Sequence, residues 1–157
     1  MKQKKVGNEK KVREGARRRR RPLRDAASAL ELAAAAPAGT GPKWCHRVHI
    51  GVKRVSGALE GHVVEVEGPS GLWNDIRVDA PRLIPMMETL KVEHDTLRKV
   101  VAQLLEDLTR ITDKASKDEI AAVREKVVLL LGRITRHRQK GADLVYEAYM
   151  VDIEASD

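Results

Sequence analysis

Three histidines of this 157-residue chain stand where a helix would bury them. His94 interrupts the series Met87, Leu90, His94, Leu97, Val101, Leu104, Leu108, Ile111, whose spacings alternate three and four. His62 does the same in Cys45, Val48, Val52, Val55, Leu59, His62, Val66, and His137 in Ile120, Val123, Val127, Leu130, Ile134, His137, Gly141, Leu144, Ala148, Val151. Desolvating an imidazole without a partner costs about 1–3 kcal/mol, so something must face each ring. Two chemistries answer. Each histidine is satisfied singly, by a neighbouring hydroxyl or carboxylate, or the three converge as neutral imidazoles, a donor set suited to iron, zinc or copper between facing helices.

The elements that must position them are long helices. The alternation of three and four is the seam of a helix packed on others, and Met86, Val100 and Leu105 widen the stripe to the breadth of a bundle core. Four helices are expected: a short one over residues 22–36, one from Trp44 to Glu67, one from Pro85 to Ile111 and one after the polar turn TDKASKD, where Ser116 or Asp118 can cap. Asp79 before Pro81 reads as the start of the third. Gly68, Pro69 and Gly71 end the second, and Leu72, Trp73 and Ile76 then cap the open end of the bundle. Gly51, Gly57 and Gly61 weaken the second helix, so packing must hold it. At about 1.5 Å per residue, His94 and His137 fall at one depth and His62 about 6 Å away. His46 and His49 read as surface or boundary residues. No strand pattern survives, and the fold class is all-α: an antiparallel up-down four-helix bundle over residues 22–157 behind a basic tail.

Charge divides the chain. Residues 1–24 hold 12 of its 30 Lys and Arg against Glu9 and Glu14, a balance of +10, whereas the remainder carries −3. Residues 1–21 lack apolar periodicity and read as disordered. Arg17 to Arg21 suit salt-dependent, sequence-independent contact with nucleic acid phosphates; the plain alternative is a solvated tail. Asp25 and Glu31 interrupt the alanine-rich stretch and argue against a signal peptide. No apolar run is long enough to cross a membrane. Phe is absent, so the core must be aliphatic, and the single Cys45 fits a reducing, cytoplasmic setting. No Ser/His/Asp set or phosphate-cradling glycine loop stands out, so the chain does not read as an enzyme.

The segments LEGHVVEVEGP, EHDTLRKVV and LLGRITRHRQKGADLVYEAY resemble the hemerythrin-like domains, also called HHE cation-binding domains, across roughly Trp44 to Ile153. The resemblance implies a four-helix bundle with a non-haem di-iron centre that binds oxygen, senses oxygen or redox state, or handles iron and nitric oxide. His62, His94 and His137 fall where such domains place ligands. The carry-over departs elsewhere: the positions one turn on are Val66, Arg98 and Gly141, and the first helix has no histidine. Glu65 and Asp143 are rotated about 100° and 200° from the needed positions.

A di-iron centre is therefore not expected. The metal expectation is a mononuclear site, with iron among the candidates, held by His62, His94 and His137 with Glu65 reaching in. Otherwise the histidines are a vestigial polar network, with Arg98 pairing Glu65 or Glu93. From a different class comes a metal-free helical interaction module whose Arg-rich tail binds nucleic acid or an acidic surface.

Overall fold

The computed structural model describes residues 2–39, 41–111 and 114–151, with side chains except those of residues 2–13 and 16–20. Thr112 and Asp113 of the expected polar turn lie outside the described residues, as do residues 152–157 of the expected domain. In chain order the helices are α1 (Lys2–Ala35), α2 (Pro42–Glu67), the short α3 (Leu72–Asp79), α4 (Ile84–Arg110) and α5 (Lys117–Tyr146). A 3-10 turn, Pro81–Leu83, leads into α4, and a π-helical turn, Glu147–Val151, follows α5. The four long helices close a ring in which α1 packs on α2 and α5, and α4 packs on the same two. No strand occurs among the described residues, and no helix among them is long and apolar enough to cross a membrane.

The seams follow the apolar pattern, with one exchange and three positions that fall short: Ile111 and Gly141 are only partly buried and Val151 is exposed. Trp44 rather than Cys45 heads the buried face of α2, which continues through Val48, Val52, Val55, Leu59 and Val66. The faces of α4 and α5 bury Met87, Leu90, Leu97, Val101, Leu104 and Leu108, and Ile120, Val123, Val127, Leu130, Ile134 and Leu144. Gly51 has a packing purpose besides its propensity cost. A Cβ there would lie 3.1 Å from Leu30 Cδ1 and 3.3 Å from Leu30 Cα, so its absence lets α1 and α2 approach closely.

The first helix corrects the expectation of a short element behind a disordered tail. α1 is 34 residues long and its backbone stays helical through residues 2–21 and past Pro22. Low apolar content says that a segment cannot build a core; it does not stop Lys, Arg, Gln and Glu, all good helix formers, from continuing a helix already anchored by packing. The described anchoring residues are Leu23, Ala26, Leu30 and Ala34. At the other end, the last carbonyls of a helix lack intrahelical partners. Here the Trp44 indole N–H donates to the Ala34 carbonyl at 3.3 Å, and the Arg124 guanidinium donates to Ala34 and Ala36 at 3.0 and 2.9 Å while lying 5.2 Å above the Trp44 ring. Two other helices thus complete the end of α1.

The remaining boundaries are local chemistry. Ser116 opens α5 with a capping box: its hydroxyl accepts from the Glu119 N–H at 3.1 Å, and the Glu119 carboxylate accepts from the Ser116 N–H at 2.7 Å. Asp79 does not cap α4. It closes α3, and the chain enters α4 through the 3-10 turn, with Pro85 in the first turn where its missing N–H costs nothing.

Adjacent residues of α5 test the seam. Leu130 is fully buried and Leu129 is 58% exposed. Leu130→Ala is expected to lower the unfolding free energy by about 2–5 kcal/mol and Leu129→Ala to change it by less than about 0.5 kcal/mol, read from urea midpoints.

Candidate metal centre

The apolar interior is two blocks, not one. The larger includes Leu59, Val63, Leu97 and Ile134 together with the packed part of α1. The smaller joins Val66, Leu90 and Leu144 to Leu72, Trp73, Ile76 and Leu83 around α3. His62, His94 and His137 occupy the layer between them, each supplied by a different helix at the seam position that separates one block from the other. They are 9%, 0% and 3% exposed.

The rings converge. Centroid separations are 4.6 Å for His94–His137, 5.2 Å for His62–His94 and 5.5 Å for His62–His137, all edge-on. One nitrogen from each lies within 4.8 Å of the others, and His62 Nε2 is 3.3 Å from His137 Nε2. The 6 Å offset expected for His62 does not keep it away, because α3 and the 3-10 turn separate the end of α2 from the start of α4 and the two helix ends need not share a level.

Each of two rings is held from behind by a carboxylate. His94 Nδ1 lies 2.5 Å from Glu67 Oε1, and His137 Nδ1 lies 3.0 Å from Glu93 Oε2. Glu93 also accepts a hydrogen bond from Lys140. Trp73, brought over by α3, stacks on His94 with centroids 5.4 Å apart and planes 10° from parallel. Sequence reasoning missed all three neighbours. Glu67 and Glu93 serve histidines on other helices, and Trp73 reads from sequence only as part of the cap.

Burial sets the protonation of the layer. It drives the His94 imidazole down to about 3, helped by the His137 and Arg98 charges. It lowers His137 as well, against the opposing pull of its hydrogen bond to Glu93. Burial raises the Glu67 carboxyl. For Glu93 burial acts upward, but hydrogen bonds from Lys140 and His137 outweigh it and the carboxyl is lowered. At neutral pH both imidazoles are therefore uncharged. An Nδ1–H donated to a carboxylate leaves the Nε2 lone pair facing inward, the state in which histidine binds metal. Since His137 Nε2 then accepts, the hydrogen-bond network assigns the shared proton to His62 Nε2. His94 Nε2 is buried with no hydrogen-bond partner.

Two expected participants are elsewhere. Glu65 is exposed and takes no place in the cluster. At 100° per residue it lies on the opposite flank of α2 from Glu60 and Glu67, the pair of carboxylates that meets α4. Arg98 pairs neither Glu65 nor Glu93: its guanidinium grips Glu60 bidentately at 2.7 and 2.9 Å and reaches Asp95 at 3.1 Å. That clamp keeps the cation on the helix flank. Val66 is buried, Gly141 carries no ligand, and Asp143 is exposed and accepts from Gln139 at 2.9 Å. Three imidazole nitrogens within 4.8 Å of one another could hold one metal ion, and among the described residues no carboxylate joins them.

Compared with known proteins, the chain matches no family model, no curated protein and no solved structure.

The layer makes the metal-free protein acid-sensitive. His94 and His137 titrate lower when folded than the ordinary value of about 6.5, so between that value and their folded values only the unfolded chain takes up the protons. Stability is expected to fall below pH 6.5 by up to about 1.4 kcal/mol per pH unit for each such group. Glu67, raised when folded, offsets part of this just above its ordinary carboxylate range. Urea midpoints from pH 8 to 4.5 check the slope, which His94→Leu should make shallower.

Proposed function

We propose that this chain is a metal-binding helical bundle in which His62, His94 and His137 hold one divalent transition-metal ion. The observation that carries the reading is the convergence of three buried imidazoles on one point, two of them oriented by carboxylates. A metal there would bind through neutral nitrogen donors and supply a Lewis-acidic centre inside an otherwise aliphatic core. The residues' part is to hold the donors neutral and aimed, with Trp73 and the two apolar blocks excluding water.

Kinship with hemerythrin-like domains belongs to the same proposal. In its support, Trp44 and Gly51 of α2 meet Ala34 and Leu30 of α1 in opposite chain directions, as an antiparallel up-down arrangement requires. Lys126 of α5 reaches Asp107 of α4 at 2.5 Å and His137 of α5 meets Glu93 of α4, again in opposite chain directions. An oxygen- or redox-sensing role enters through the metal alone, and would need iron in this layer.

Full-length protein purified without a histidine tag is expected to carry or take up about one ion per chain, and His94→Ala to lose it. Elemental analysis after gel filtration decides. Stoichiometry well below one for both proteins removes the reading.

A second reading has its own observation. α1 runs well beyond Leu23, and residues 2–21 carry 11 Lys and Arg against two Glu along about 30 Å of helix. Such a rod suits non-specific binding to nucleic acid. Removing residues 1–21 is expected to abolish salt-sensitive retention of duplex DNA or RNA in a filter assay; retention that survives the deletion defeats it.

A further inference from the structure

The metal-binding reading leaves the coordination open, and the layer's geometry narrows it. A tetrahedral ion about 2.0–2.1 Å from each donor holds its nitrogens about 3.3–3.4 Å apart. An octahedral ion at similar bond lengths brings neighbouring donors to about 2.8–3.0 Å. His62 Nε2 and His137 Nε2, hydrogen-bonded in the metal-free chain, stand 3.3 Å apart, the length of one edge of such a tetrahedron; an ion there would displace the shared proton, with His62 taking its other neutral tautomer. His94 Nε2 is buried without a hydrogen-bond partner, and one nitrogen from each of the three rings lies within 4.8 Å of the other two, so a modest movement of the His94 ring closes that face.

Donor number points the same way. Among the described residues no Asp, Glu or Cys joins the three histidines in one cluster. Glu67 and Glu93 are committed to Nδ1 atoms, behind the rings, and are not free to enter the coordination sphere. Three imidazoles without a carboxylate are a donor set of mononuclear zinc sites, whereas the common mononuclear non-haem iron set replaces one histidine with a carboxylate.

We propose that the triad is a tetrahedral site for zinc(II), completed by one water molecule or small anion, with Glu67 and Glu93 as positioning residues that fix the Nε2 atoms of His94 and His137. The proposal rests on the metal-binding reading and adds to it the geometry, the ion and the two carboxylates. Glu67 does this from the last turn of α2, across to a ring on α4; Glu93 does it from α4, across to a ring on α5. Each carboxylate therefore ties the donor it orients to a second helix.

Cobalt(II) is the probe, because its visible spectrum reports coordination number. Titrated into metal-free, untagged, full-length protein, it should give the intense bands of four-coordinate cobalt, saturating at one ion per chain and bleached by one equivalent of zinc(II). Nickel(II), which ordinarily binds nitrogen sites more tightly than cobalt(II) but prefers square-planar or tetragonal geometry, should compete worse. Weak six-coordinate bands, or displacement of cobalt by nickel, would overturn the tetrahedral assignment. Glu67→Ala and Glu93→Ala should each weaken cobalt affinity about 10–100-fold and shift the spectrum, while Glu67→Gln, which keeps an acceptor oxygen, should restore most of the loss. Alanine variants that bind like the parent, with unchanged far-ultraviolet dichroism, would remove the positioning role. Absence of cobalt binding, or equal binding by His94→Ala, would instead bring down the metal reading itself.

Discussion

Putting three imidazoles between two apolar blocks is the constraint on which the rest of this molecule depends. Each ring brings two nitrogens out of water, and an unpartnered buried group costs as much as a good core side chain contributes. Charging the rings would cost far more, so burial holds His94 and His137 neutral and leaves tautomer as the variable to be fixed. Glu67 and Glu93 fix it from the helix flanks, where each carboxylate stays close enough to solvent to remain hydrated on one side. The result is a polar layer with its carboxylate acceptors at the rim and, at the centre, the Nε2 lone pairs of His94 and His137.

That layer also explains how the helices are joined. An aliphatic seam is tolerant of sliding, since one leucine fits against another about as well. Hydrogen bonds from a carboxylate on one helix to a ring on the next are not: they fix α2 to α4 through Glu67–His94 and α4 to α5 through Glu93–His137. The clamp of Glu60 on Arg98 repeats the α2–α4 tie one turn away along α4 and two along α2, and holds the cation on the helix flank. Both partners of that clamp are substantially exposed, so its contribution to stability is small and its effect is mainly on register.

The first helix enters on different terms. It gives the larger block Leu23, Ala26, Leu30 and Ala34 and contributes none of the three histidines. Its seating depends on contacts that only a folded neighbour can offer, the bare backbone at Gly51 and the indole and guanidinium that take up its last carbonyls. A histidine layer drawn from three helices, with the fourth used for packing, is asymmetric by construction.

Composition and spacing by themselves determined the helical class, most of the seams of α2, α4 and α5 and the fact that three histidines face inward, because a period of 3.6 residues writes burial directly into residue type; for the cap of α5 they left Ser116 and Asp118 both open. They could not determine how far α1 extends, since local helix propensity and core-forming capacity are separate properties and residues 2–21 have only the first. Nor could they choose among the carboxylates. Glu60, Glu65, Glu67 and Glu93 look alike in sequence, and which one meets an imidazole is set by the rotation and level of the neighbouring helix. Only the tertiary structure put Glu67 and Glu93 behind the rings, left Glu65 in solvent and laid Trp73 over His94, because each of those relations joins elements whose relative placement no single helix encodes.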